Sequence, residues 1–350
     1  MPPLLVQGFS CQSIQYLYFH PATTKMQRTS STVVILGTGG TIAGTAASAA
    51  DNVGYTAAQI GVASLVQAVP ALAGVPLEAE QLAQIDSKDM THAVWLALAQ
   101  RVAHHLARAS VSGVVITHGT DTLEESAWFL QRVLAPAKPV VLTAAMRPAT
   151  SAQADGPQNL LDAVCVAQQP GARGVVAVLA GAVHGAHDVR KAHPYRVDAF
   201  SSGDAGPLAW IEEGVLRTLR PWPDGVAVGL GLARLGADAA AWPVVEIVSS
   251  HAGARGAVVD ALCAAGAGGL VVAATGNGTV HESLLSALHR ARERGVQVLL
   301  ATRCAEGPIV PGRGALGDGE QWLATTGLSP AKARIELMLT LIPSLERLQP

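Results

Sequence analysis

From Ser31 onward, short β-branched runs alternate with Ala- and Leu-rich segments of helical length. The runs Thr32–Leu36, Val114–Thr117, Val140–Ala144, Gly174–Leu179, Val244–Val248, Leu270–Ala274 and Val296–Ala301 are dominated by apolar residues instead of alternating with polar ones. That pattern predicts strands buried on both faces. Between them Ala57–Ala68, Thr91–Ala109, Thr122–Leu134, Pro157–Gln168, Gly256–Ala265, Val280–Arg294 and Ala331–Ile342 read as helices. Buried strands alternating with helices predict an α/β fold. We expect a larger N-terminal, mostly parallel sheet flanked by helices and a smaller C-terminal α/β domain. Ligands of such sheets sit beyond the carboxyl ends of the strands, so the loops there are where chemistry is expected.

The pattern weakens between Arg220 and Pro243 into Pro, Gly and Ala, and the chain is long enough, at 350 residues, for two domains. This predicts an N-terminal catalytic domain over 31–222, a linker over 223–242 and a C-terminal domain over 243–350. Residues 1–30 have no clear period, and their basic residues, Lys25 and Arg28, come late. A signal peptide has the opposite order, so they read as a disordered leader or an upstream start ahead of Met26. A cytoplasmic protein is expected.

Composition acts by exclusion. A net charge of −2 offers no electrostatic case for nucleic acid or an anionic membrane. No run of 18 apolar residues suggests a spanning helix. Cys11, Cys165, Cys263 and Cys304 are scattered, which fits neither a disulfide framework nor a zinc site. His184, His187 and His193 lie close together but lack companions to complete a ligand set, so no metal and no cofactor is expected. Arg290, Arg292 and Arg294 suit the negative end of a helix, and the six tryptophans show no repeat.

Two loops carry candidate chemistry. Gly37-Thr38-Gly39-Gly40-Thr41-Ile42-Ala43-Gly44 follows the first strand. It is not a dinucleotide loop, because Ile42 stands where the third glycine is needed, and without a lysine it is not a phosphate loop. Alone it remains either a plain Gly-rich turn or a site presenting Thr38 and Thr41. The second loop is Thr117-His118-Gly119-Thr120-Asp121-Thr122-Leu123-Glu124. Asp121 and Glu124 have the spacing of a helix capping box, which leaves the cluster before them unexplained. A hydroxyl–carboxylate pair at a strand end favours a polar, partly cationic small molecule.

Together the two loops resemble the signature segments of the bacterial L-asparaginase and glutaminase-asparaginase family. Gly54-Tyr55-Thr56, Ile85–Met90, Ala145–Pro148, Ala154–Leu160, Asp188–Lys191, Gly276–Gly278 and Ser329–Arg334 agree in order, so the likeness runs from about Ser31 to the C-terminus. The resemblance implies an amidohydrolase acting on an amino-acid amide. It implies Thr41 as nucleophile with Tyr55 assisting it, and Thr120, Asp121 and Lys191 as a second catalytic group. Substrate contacts are implied for Ser87, Lys88, Thr120 and Asp121 and for the backbone at Gly40 and Gly119. Asn277 is implied to support the site across a subunit boundary, in a homo-oligomer built on an intimate dimer, a tetramer.

A threonine hydroxyl needs a neighbour to activate it, and Tyr55 and the Thr120–Lys191 pair are both candidates. His118 receives no proton-transfer role. Two departures from the family pattern fall at the amino end of the substrate. Lys88 stands where periplasmic members carry glutamine, and no glutamate aligns with the one lent by the neighbouring subunit. Glu306 and Glu320 are the acids of that type in Cys304–Gln321. The expectation is retained scissile chemistry with weaker affinity. A glutaminase-asparaginase is the near alternative. An amidotransferase subunit is disfavoured for want of a segment to hold tRNA, and a non-catalytic amino-acid-binding protein by the presence of Thr41, Thr120 and Lys191.

Overall fold

The computed structural model describes residues 31–224, 229–310 and 324–342. The leader, Glu320 and the middle of the Pro/Gly-rich stretch lie outside the described residues. From Ser31 the chain forms one compact unit carrying two main sheets.

In chain order the first half holds β1 (Thr32–Gly39), α1 (Val62–Gln67), β2 (Leu77–Ile85), α2 (His92–Leu106), β3 (Val111–Thr117), α3 (Leu123–Leu134), β4 (Val140–Thr143), α4 (Gly156–Ala167) and β5 (Val175–Leu179). Short strands follow: β6 (Ala182–Gly185), β7 (Arg190–Lys191), β8 (Phe200–Ser201), β9 (Ala209–Glu212) and β10 (Val215–Thr218). The C-terminal part holds β11 (Val245–Ser249), α5 (Ala257–Ala264), β12 (Gly269–Ala274), α6 (Glu282–Glu293), β13 (Gln297–Thr302), β14 (Ala324–Thr325) and α7 (Pro330–Leu341).

The large sheet has the order β10-β9-β6-β5-β4-β3-β1-β2. β2, β1, β3, β4 and β5 run parallel, whereas β6, β9 and β10 close the far edge antiparallel. The second sheet, β11-β12-β13-β14, is parallel throughout. Burial on both faces follows from the pleat. Val34 and Leu36 face the core under α2, α3 and α7, and Val33 and Ile35 face the opposite core under α1 and α4. Helix α7 packs against both α3 and the second sheet, so one apolar cluster joins the two parts.

Several elements depart from expectation. The helix expected from Ala57 begins only at Val62, because Gly61 precedes it as an extended N-cap and the N–H groups of Ala58, Gln59 and Ile60 are spent bonding the Thr41 loop. β1 runs on through Gly39, so the glycines at 37 and 39 belong to the strand and the turn begins at Gly40. β2, β6–β10 and β14 lie outside the predicted strands. Among the described residues no helix is long and apolar enough to cross a membrane.

Candidate active site

Because β2 and β3 flank β1, the chain leaves β1 in one direction and returns on its other side. The carboxyl ends of β2, β1 and β3 therefore meet at the point where the strand order reverses, the usual place for a ligand in such a sheet. Three loops converge there. Gly40 N–H donates to Ile85 O at 2.9 Å, tying the β1 loop to β2. Thr38 Oγ1 donates to Thr117 O at 2.9 Å, tying it to β3.

Gly40 and Gly119 then meet backbone to backbone. A Cβ on Gly40, at φ +82°, would lie 2.4 Å from Gly119 Cα, and one on Gly119 would lie 2.4 Å from Ser87 Oγ. Only glycine at both positions permits this approach. It places Thr41 and Thr120 each one residue beyond the contact, with Ser87 against it.

Around this contact most of the predicted residues are brought together. Thr41 is buried on a short 3-10 turn, and its Oγ1 shares a 2.7 Å hydrogen bond with Tyr55 Oη. Tyr55 is held by reciprocal Thr45–Thr56 backbone bonds of 2.9 Å, which fold its loop back over Gly44. Lys191 Nζ donates to Thr120 Oγ1 at 2.8 Å and to Asp121 Oδ1 at 2.6 Å. An ammonium only donates, so Thr120 accepts here and its own proton is free to point elsewhere. The Asp121 side chain is 53% exposed, leaving a carboxylate edge open to a ligand. Ser87 Oγ accepts from Asp121 N–H at 3.2 Å, and Thr122 Oγ1 donates to Ser87 O at 2.8 Å. One corner thus presents a carboxylate, the other a hydroxyl whose proton remains to be given.

Two predicted residues point elsewhere. Lys88 Nζ pairs with Asp89 at 2.7 Å and Asp86 at 3.2 Å on an exposed turn. Asn277 spends its carboxamide on the backbone of Val310, accepting at 2.7 Å and donating at 3.0 Å. Glu306 lies on the rim of a cleft of ≈ 500 Å³ that Lys191 and Lys332 also line.

The capping-box reading of Asp121 and Glu124 is corrected. The N-cap of α3 is Thr122, with no side-chain cap bond. Asp121 Oδ1 is taken by Lys191 instead. Glu124 Oε2 accepts from Lys191 N–H at 2.7 Å, and its Oε1 accepts from Ser329 Oγ at 3.3 Å. Asp121 is drawn to the Lys191 ammonium, and Glu124 leaves the helix end for a strand N–H that its carboxylate satisfies. Glu124 was missed as a site residue because its partners are 67 and 205 positions away.

Beneath the second loop runs a buried chain. His118 Nδ1 donates to Gly119 O at 2.7 Å, Ser126 Oγ donates to His118 Nε2 at 2.9 Å, and Trp95 Nε1 donates to Ser126 Oγ at 2.8 Å. Full burial holds the His118 pKa down, to about 4, so the ring is neutral and the donor order is set. The other histidines have separate partners: His184 Nδ1 meets Ser202 Oγ, His187 pairs with Asp188, and His193 Nδ1 accepts from two backbone N–H groups.

Comparison with known proteins gives a consistent result. The family description "Asparaginase, N-terminal" matches residues 32–223, and "Glutaminase/Asparaginase C-terminal domain" matches 244–347. The chain is 37% identical to the glutaminase-asparaginase of Pseudomonas fluorescens biotype A, covering 88% of this chain and 86% of that one. It is also 37% identical to L-asparaginase 2 of Escherichia coli strain K12, covering 88% of each. Among solved structures, the "Probable Cytoplasmic L-asparaginase from Campylobacter jejuni" superposes with a TM-score of 0.83 at 36% identity, covering 90% of this chain and 96% of that one.

Proposed function

The chain belongs to the asparaginase family, and on that premise we propose that it is an L-asparaginase, an amidohydrolase converting asparagine and water to aspartate and ammonia. The observation that carries the mechanism is the 2.7 Å bond between Thr41 Oγ1 and Tyr55 Oη at the β2–β1–β3 convergence. Thr41 Oγ attacks the side-chain carbonyl carbon as its proton moves to Tyr55 Oη, the hydroxyl within reach, and the Tyr55 proton moves on toward the amide nitrogen, so the phenol stays neutral. Backbone N–H groups of the Gly40 and Gly119 loops are suited to the developing oxyanion, where one donor contributes roughly 3 kcal/mol. The C–N bond breaks as nitrogen takes up a proton and ammonia leaves, giving a β-aspartyl ester on Thr41. Water then hydrolyses that ester and restores the hydroxyl. Lys191 keeps Thr120 and Asp121 together. The free edge of Asp121 anchors the substrate ammonium, and the spare proton of Ser87 goes to its carboxylate.

An ammonia-release assay over asparagine, glutamine and their D-isomers tests the substrate. Thr41→Ala is expected to lower kcat on the order of 10³-fold or more. A variant releasing ammonia at the wild-type rate sinks the nucleophile assignment. The surface pairing of Lys88 supports altered recognition of the amino end, so a raised KM for asparagine is expected in the same assay, and a low-micromolar KM would remove that part.

A second reading, glutaminase-asparaginase, is favoured by one observation: relatives under both names share 37% identity with this chain. Comparable kcat/KM for glutamine and asparagine would select it. We assign a cytoplasmic location by similarity to the Campylobacter protein, and recovery of the chain in a periplasmic fraction would overturn it. A homo-oligomer built on an intimate dimer, a tetramer, completes the reading, with the exposed turn around Asn277 reaching a neighbour.

A further inference from the structure

Lys191 sits on a strand of two residues whose ladder partner, β8, is equally short. Its place is thus set by little of the main sheet. The neighbouring bonds come instead from two side chains outside the strand. Glu124 of α3 accepts the Lys191 N–H with one oxygen and the Ser329 hydroxyl with the other. Ser329 is the N-cap of α7, and its Oγ accepts from Lys332 N–H at 3.4 Å. From the first turn of the same helix Lys332 Nζ donates to the carbonyls of His187, at 2.8 Å, and Val189. These carbonyls bracket the turn that leads directly into Arg190 and Lys191. We propose that Glu124 and Lys332 are the positioning residues of Lys191, so that the C-terminal helix α7 sets the ammonium on Thr120 and Asp121. This rests on the catalytic reading given above.

The chemistry of Lys332 supports it. The side chain is only 2% exposed, and among the described residues no carboxylate lies within ion-pair distance of its ammonium. Burying a charge in this way is costly, and a methionine would fill the space without that penalty. What lysine adds is two donors aimed at two carbonyls of a turn whose N–H groups bond Gly185 O and whose Asp188 is held by Arg220, so Lys332 ties that turn to α7. Burial lowers its pKa to about 8, and the carboxylates of Glu124 and Asp188, beyond ion-pair distance, offset that only in part.

Steady-state kinetics on the full chain test the proposal, using the amide the wild type turns over fastest. Lys332→Met and Glu124→Ala are expected to lower kcat on the order of 10²-fold, with KM within about twofold, because a displaced Lys191 misaligns the reacting groups. Glu124→Gln is expected to recover to within about threefold of the wild type: its amide oxygen can accept from Lys191 N–H and its NH₂ can donate to Ser329 Oγ. Arg132→Met serves as the stability control. It removes the bidentate Arg132–Glu336 pair between the same two helices, and is expected to lower Tm while leaving kcat unchanged. Wild-type kcat in Lys332→Met or Glu124→Ala overturns the proposal. So does a Glu124→Gln enzyme as slow as Glu124→Ala, or kcat falling with Tm in Arg132→Met. Should Lys332→Met not fold, the Glu124 pair decides. A Thr41→Ala enzyme that releases no ammonia in the same assay keeps the parent reading intact, whichever way these results fall.

Discussion

His118 shows how a single residue can serve a site without exchanging protons. Its neutral ring joins Trp95 and Ser126 to the carbonyl of Gly119, and so holds the peptide on which Thr120 stands. The pH dependence follows from burial. The ordinary pKa is 6.5, and in the folded chain it is about 4, so between those values the unfolded chain binds the additional proton. The stability from this group is therefore complete above about pH 6.5 and is lost as pH falls toward 4. The loss is on the order of 3 kcal/mol for a shift of this size. His184, also buried, is held at about 4 and acts in the same sense. Calorimetry between pH 7 and 4.5 should show a shallower decline of Tm in His118→Gln than in the wild type. Parallel declines would remove His118 from the account. From the sequence His118 receives no proton-transfer role, and its three-link anchor to Trp95, Ser126 and Gly119 became visible only in the fold.

At the scale of elements, the loops owe their shape to close approach. Gly119→Ala would put a methyl group 2.4 Å from Ser87 Oγ, and the β3 loop must move away from β1 and β2 to admit it. A cost of about 1–3 kcal/mol is expected from such overpacking. We expect a lower Tm together with a fall in kcat/KM on the order of 10²-fold, since Thr120 and the backbone donors shift with the loop. An alanine enzyme with wild-type kcat/KM would show that this approach is not needed. Strands β1, β3, β4, β5 and β12 were legible because a doubly buried strand is apolar along most of its length; β11 and β13 were legible from their apolar runs, although β11 is buried only at Val245 and Val248. β2 was not. Leu77-Glu78-Ala79-Glu80-Gln81-Leu82-Ala83-Gln84-Ile85 consists largely of good helix formers, yet it pairs as the parallel edge of the sheet. Its Glu80 binds Arg101 of α2 and its Glu78 binds Arg108 just beyond that helix, so tertiary pairing overrides local preference and the edge is guarded by charge.

For the whole molecule, the open question is assembly. Asn277 is committed to Val310 within its own chain, and apolar side chains at Val244, Ile247 and Val258 stand exposed on the second α/β unit. The exposed apolar side chains support a partner subunit covering that part of the chain, whereas the Asn277–Val310 bonds close within one chain. Size-exclusion chromatography with light scattering is expected to report a tetramer of a 35.9 kDa chain. An active monomer would refute it and would leave Asn277 without a role at a neighbour's site.

The sequence by itself determined the α/β class, the order of the buried strands, and the two loops in which Thr41, Thr120 and Asp121 lie. Hydrophobic period and glycine placement are local properties, and they survive without knowledge of distant partners. Only the tertiary structure decided that β2 is a strand. It also gave Glu124 to Lys191 in place of a helix end. Those outcomes depend on groups far apart in the chain, 205 residues for Glu124 and Ser329, meeting where buried donors and charges must find partners.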